Sequence, residues 1–215
     1  MFETLMSKTF VILSASLLCA YIGCLFAQNT FRKLLEMQQF DTAKKYNLWA
    51  IIINIIAFIA LMFTRKIMPL NMLFMGIFTL SSGYTLGLLT LVYGDTAQKA
   101  LGITALTTFL TGLIATYSGL DFAWLGKFLF WGLIVLIIVA IINLFIRIKG
   151  RKIFAGFGVL IFTGYLLFDF NNLAKLKQVA QANNWETALN FAISIYLDIV
   201  NLFIYLLQLL SSNNN

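Results

Sequence analysis

The sequence predicts an all-α protein embedded in a membrane, and three observations carry that reading. Hydrophobic residues make up 61% of the chain and charged residues only 11%, whereas a soluble domain needs about 25% charged residues to cover its surface. The mean hydropathy is +0.91. The apolar residues come in unbroken blocks such as residues 133–142, without the alternation that a membrane-spanning strand requires.

A helix crossing about 30 Å of hydrocarbon needs about 20 residues free of exposed charge. Uncharged stretches of that order cover residues 9–31, 46–64, 67–94, 100–120 and 128–146. Residues 153–168 form a shorter one that ends at Asp169, and the last apolar region, 187–210, is interrupted by Asp198. Six long apolar segments and a seventh, more polar one are expected, forming a single polytopic membrane domain over residues 1–215 with no room for a soluble one. Pro69 lies between the second and third segments, where proline can begin a helix without breaking one. Lys8 and the apolar run after it superficially match a secretion signal. The run is too long, however, and no A-x-A site follows, so it reads as a first transmembrane helix. Residues 29–45, with Arg32, Lys33, Glu36, Asp41, Lys44 and Lys45, are the longest polar connection and read as a surface helix or loop.

Seven crossings would alternate the loops between two faces. Lys8, Arg65, Lys66, Lys127, Lys175 and Lys177 would share the N-terminal face; Arg32, Lys33, Lys44, Lys45, Lys99, Arg147, Lys149, Arg151 and Lys152 would share the other. The net charge of +7 is thus scattered among loops, where it fixes topology and meets lipid headgroups. That distribution argues for membrane lipid, and not nucleic acid, as the partner of the basic residues. The chain has no histidine, which excludes His-based metal sites and imidazole catalysis. Cys19 and Cys24 are five residues apart in the first segment and point to different helix faces, so they read as packing residues.

The last segment carries the most information. Thr187, Asn190, Ser194, Asp198, Asn201, Tyr205 and Gln208 recur at spacings of three and four. At about 100° per residue they fall in one stripe on one helix face. Such a face must meet protein or water, never lipid. Asp198 is the strongest signal in it, because a carboxylate near mid-bilayer costs at least about 2.5–3.5 kcal/mol. A second acid, Asp169, lies near the end of the sixth segment, with Tyr165 one turn before it and Asn172 three residues after. Counting crossings puts Arg65, at the end of the second segment, on the same face as Asp169. Elsewhere Gly83 and Gly87, with Ser81, Ser82 and Thr85, offer a surface where another helix can approach closely.

Two passages taken together resemble a known family: Gly164-Tyr165-Leu166-Leu167-Phe168-Asp169, and Ser194-Ile195-Tyr196-Leu197-Asp198-Ile199-Val200-Asn201-Leu202-Phe203. They look like the paired motif of the transmembrane Bax-inhibitor-motif family, an Asp closing the sixth helix and L-D-x-x-N-L-F in the seventh. Ser82-Gly83-Tyr84-Thr85-Leu86 resembles the third-helix signature, and Leu120-Asp121-Phe122-Ala123-Trp124-Leu125-Gly126 resembles the approach to the fifth helix. The likeness covers essentially the whole chain and is to the small bacterial members, although the Gly-Pro usual in the third helix is here Gly87-Leu88. It implies six helices wrapped around a central C-terminal seventh, in a bacterial inner (plasma) membrane. It also implies a pH-sensitive calcium leak gated by a hydrogen-bonded aspartate pair that an arginine of the second helix can join. Those roles fall on Asp169, Asp198 and Arg65. From the stripe itself, Asn190, Ser194, Asn201 and Tyr205 are expected to face the pore. Calcium would be the permeating ion, held only transiently by Asp169 and Asp198, and no tightly bound cofactor is implied.

The chemistry suits that assignment. Two carboxylates close together in a poorly solvated site cannot both ionise cheaply and titrate as one coupled pair. Calcium prefers the hard oxygen donors that carboxylates and amides supply. An enzyme is not expected: intramembrane aspartyl proteases carry G-x-G-D at one acid, where this chain has Ile195-Tyr196-Leu197-Asp198, and rhomboid-type proteases need a histidine. The resemblance also implies an alternative: an interaction protein that restrains a membrane-bound protease, with no transport role and a membrane protein as its partner.

Overall fold

The computed structural model describes residues 4–145, 150–176 and 179–211. Arg147, Lys149 and Lys177 of the charge pattern lie outside the described residues, as does the Arg151 side chain. The described residues are helical with short connections: α1 (Leu5–Glu36), α2 (Phe40–Thr64), α3 (Leu70–Tyr117), α4 (Leu125–Phe145), α5 (Arg151–Leu176), a single 3-10 turn (Ala180–Ala182) and α6 (Trp185–Ser211). All six α-helices are long and apolar enough to cross a membrane. Large apolar side chains such as Phe63, Trp131 and Phe145 stand exposed along them, as lipid-facing residues must. This is an integral membrane protein.

Three boundaries differ from the sequence reading, each for a local reason. The third and fourth segments follow each other with no loop between them: they form α3, two helices that meet at a kink at Gly94, where the backbone leaves helical geometry (φ 45°, ψ −118°). That positive φ is open to glycine at little cost. The polar connection at residues 29–45 shrinks to residues 37–39, because α1 continues to Glu36 and α2 already begins at Phe40. The residues Arg32, Lys33, Leu34, Leu35 and Glu36 are good helix formers and extend the helix beyond its apolar part. Asp169 does not close its helix either; α5 runs on through Phe170, Leu173 and Leu176.

The chain packs as two compact units. One comprises Ser7–Gly94 with Asn184–Ile193, and the other Asp95–Asn183 with the chain from Ser194, joined by Thr4–Met6. Within the first unit, α1 lies against the first half of α3 through small residues. A Cβ on Gly83 would fall on the Ala20 carbonyl, and one on Gly23 on the Leu80 carbonyl. Cys24 and Gln28 of α1 meet Thr90 at 3.5 Å and 2.9 Å, so these two helices run parallel. Asn54 of α2 donates to the Phe78 carbonyl (3.0 Å) and to Ser81 Oγ (3.2 Å), and Arg65 at the end of α2 meets Asn71 at the start of α3, so α2 runs antiparallel to that half of α3. Lys8 sits over the Trp185 ring, 5.8 Å from its centroid, so α1 and α6 start at the same end of the unit.

In the second unit α4 and α5 are antiparallel, with Gly132 against Ile161 and Gly164 against Leu129. The last helix is the most buried of the six: 44% of its most apolar stretch is enclosed. Its buried side is the apolar one, with Ala188, Leu189, Ala192, Ile195, Leu202 and Phe203 all inside. The polar stripe lies on the more open side. Ser194 and Gln208 are exposed, Asn190, Asn201 and Tyr205 are half-buried, and Asp198 alone is shut away.

Candidate functional site: a carboxyl pair on α5 and α6

Asp169 stands on α5 about two turns before its C-terminus, and Asp198 stands halfway along α6. The two helices bring their carboxyl groups into side-chain hydrogen-bond contact. Asp198 is only 6% exposed, and its Oδ2 is buried without a hydrogen-bond partner. Asp169 is half-buried. An ionised carboxylate only accepts hydrogen bonds, so a bond between two carboxyl groups requires a proton on one of them. Two carboxyl groups placed side by side inside a span can share a proton. Tyr165, one turn before Asp169, lies within electrostatic reach of both acids.

The remaining candidate residues are placed as follows. Asn201 spends its amide on its own helix, donating from Nδ2 to the Leu197 carbonyl at 2.8 Å. Asn190 Oδ1 is buried without a hydrogen-bond partner. Tyr205 is stacked on Phe162. Arg65 caps α2; its carbonyl accepts from Asn71 Nδ2 at 2.8 Å, its Nη2 lies against the Met62 sulfur, and its Nε is buried without a hydrogen-bond partner. Among the described residues, no group of three or more His, Cys, Asp or Glu side chains gathers to hold a metal ion.

One residue that matters here escaped the sequence reading. Asn171, two residues past Asp169, is 4% exposed. Its Nδ2 donates to the carbonyls of Ala115 (3.3 Å) and Leu120 (3.0 Å), and its Oδ1 accepts from the Phe122 N–H (3.2 Å). It clamps the connection at residues 118–124 to the end of α5. A turn further on, Lys175 pairs with Asp121 of that connection. The sequence draws attention only to Asn172, three residues after Asp169, and adjacent helical residues point about 100° apart. Replacing Asn171 with Ala is expected to strand three backbone groups and destabilise the protein by roughly 1–3 kcal/mol. Limited proteolysis in detergent would show faster cutting at residues 118–124; unchanged cutting would mean the clamp is dispensable.

The Lys175 ammonium that hydrogen-bonds Asp121 holds its carboxyl below the usual Asp range, with the Ala123 N–H adding to the effect. A lowered folded-state value stabilises the fold above the ordinary Asp range and loses that contribution only as pH falls through the lowered value. Asp121 therefore stays ionised across neutral pH.

Fold and site together define a polytopic helical membrane protein with a carboxyl pair built into its spans. The chain belongs to the Bax inhibitor-1 family: the family described as "Inhibitor of apoptosis-promoting Bax1" matches residues 3–215. An uncharacterized protein of Helicobacter pylori is 31% identical over 208 residues, covering 94% of this chain and 84% of its own. An uncharacterized protein of Campylobacter jejuni is 29% identical over 219 residues, covering 97% and 88%. Protein LIFEGUARD 1 of Arabidopsis thaliana is 32% identical over 150 residues, covering 67% and 61%.

Proposed function

We propose that this protein is a pH-sensitive calcium leak whose switch is the Asp169–Asp198 pair. The observation that carries the reading is a buried carboxyl group inside a span, Asp198 with its Oδ2 unpartnered, set beside a second acid, Asp169, on the neighbouring helix. A proton held there cannot leave without placing two negative charges side by side in a poorly solvated site. That repulsion links protonation to helix position. Support for a conducting path comes from the polar stripe of α6, which lies on the open side of that helix. Lipid cannot satisfy such a face, but water can. Carboxyl and amide oxygens are hard donors of the kind calcium prefers, and a weak site lets the ion leave again.

The reading includes seven crossings, with α6 as the central one. At about 1.5 Å per residue α3 would be about 72 Å long, more than twice the hydrocarbon thickness. Its break at Gly94 supports reading it as two spans. The high burial of α6 supports the central placement. The relatives in Helicobacter and Campylobacter favour a bacterial plasma membrane. Cysteines introduced at Arg65 and Lys175 should then label from one side of the membrane, and those at Lys45 and Arg151 from the other. Labelling of positions 45 and 175 from the same side would overturn the seven-span arrangement.

The direct test is calcium flux into proteoliposomes that hold the full chain, measured across a pH series through neutrality. The expected result is a protein-dependent flux whose rate changes with pH. Flux no greater than that of empty liposomes at every pH would defeat the proposal.

A further inference from the structure

Three aromatic rings stand in a column along α5 and α6. Tyr205 stacks on Phe162, with centroids 5.6 Å apart and planes at 21°, and Phe162 meets Tyr165 at 6.1 Å and 34°. The Tyr165 end of the column points toward the acids, one helical turn before Asp169 on α5 and within electrostatic reach of both. Phe162, in the middle, is 5% exposed. Gly158 fixes the other end, because a Cβ at that position would run into the Tyr205 ring.

Beyond Tyr205 the column opens on a cavity of ≈ 160 Å³, lined by Leu136, Val139, Ala140 and Asn143 of α4, Phe154 of α5, and Tyr205 and Gln208 of α6. It is space for several waters at about 30 Å³ each. Its walls come from the last turns of α4 and α6 and the first turn of α5, so it lies at one edge of the spans and away from the acids. Asn143 and Gln208 are exposed. At a helix end in a membrane, such side chains call for water or protein around them.

We propose that this cavity is a water-filled mouth for a hydrated cation, and that the Tyr205–Phe162–Tyr165 column is the constriction separating it from Asp169 and Asp198. The proposal rests on the conduction reading and adds a position for the mouth and for the barrier. The mouth offers neutral oxygens, from the amides of Asn143 and Gln208 and the hydroxyl of Tyr205. These can exchange with a divalent ion's hydration waters without trapping the ion as a full charge would. The Phe162 ring offers no hydrogen bond. An apolar constriction of this kind excludes a hydrated ion until the rings part.

The test uses water access rather than flux, so that the two readings can fail separately. In the full-length protein carrying Cys19→Ser and Cys24→Ser, single cysteines are placed at Gln208, at Asn201 (one turn to the acid side of Tyr205) and at Leu160, which is 71% exposed on α5. A charged, membrane-impermeant methanethiosulfonate reagent is then applied to proteoliposomes. Gln208→Cys should react about tenfold or more faster than Leu160→Cys, and Asn201→Cys should stay near the Leu160→Cys rate. Adding Phe162→Ala should bring Asn201→Cys up toward the Gln208→Cys rate. If Phe162→Ala does not fold, Phe162→Leu keeps most of the volume while removing the stacked ring. A Gln208→Cys rate no higher than that of Leu160→Cys would mean the cavity is dry or filled by lipid, and the proposal falls. It falls equally if Asn201→Cys already matches Gln208→Cys, or if neither Phe162 variant changes Asn201→Cys. The expected labelling in a protein without calcium flux would fault conduction and leave mouth and constriction standing.

Discussion

Replacing Asp169 or Asp198 with Asn should flatten the pH dependence of calcium flux, and the double variant should do little more than either single one. Each substitution leaves a group that can still hydrogen-bond but removes one carboxyl, so the partner no longer faces a second acid. Residues that act as one unit are not additive, which is why the second substitution adds little. One proton linked to opening changes the open fraction by up to about tenfold per pH unit, and the variants should fall below about twofold. Asp121→Asn serves as the control. That carboxyl is exposed in the connection before α4, paired to Lys175, and ionised throughout the neutral range, so its loss should leave the profile unchanged. Flux measured against pH for wild type, Asp169→Asn, Asp198→Asn, the double variant and Asp121→Asn decides the matter. Properly folded single variants with the wild-type profile would reduce the pair to packing.

The largest effect on stability is expected at Gly83. A methyl group there would fall on the Ala20 carbonyl carbon and oxygen, and the backbone of a neighbouring helix cannot swing aside as a side chain can. Gly83→Ala must push α1 and α3 apart and break their contact over several turns, including the bonds of Gln28 and Cys24 to Thr90. Overpacking of this kind costs roughly 1–3 kcal/mol even where the neighbours can shift, and this site lies at the upper end or beyond. Gly76, on the same helix, has nothing within 4 Å of its would-be Cβ. Gly76→Ala should be neutral, or stabilising by about 0.5–1 kcal/mol through helix propensity. Thermal unfolding of the two variants in detergent would test the contrast. Equal melting temperatures would mean that α1 and α3 are not held by this contact.

The spans were legible because hydrocarbon tolerates so little charge that gaps between charged residues mark them directly. The candidate acids were legible for the same reason: a carboxylate in an apolar block is conspicuous. What the sequence hid depends on geometry that residue types do not encode. Gly94, Gly76 and Gly102 look alike in the same stretch, yet only Gly94 leaves the helical region. Asn171 and Asn172 are chemically identical neighbours, and only the packing of the connection at residues 118–124 selects the first. Tyr205 was visible as a member of the polar stripe, but its stacking on Phe162 depends on Gly158 forty-seven residues away. Helix ends were the least legible of all, because Arg32 to Glu36 and Phe170 to Leu176 suit a helix in water as well as one in lipid.

The division of α6 between the two units has a consequence for biogenesis. Helices α1 to α5 leave the ribosome before α6 does, so neither unit is complete when the insertion machinery has released them. Until α6 arrives, Asp169 has no carboxyl partner, and the faces that will cover Ala188, Ala192, Ile195 and Leu202 are open to lipid or chaperone. Asp198 in turn must leave the translocon as an acid without a partner, and the waiting Asp169 gives it somewhere favourable to go. Docking of this one helix therefore supplies the missing part of both units.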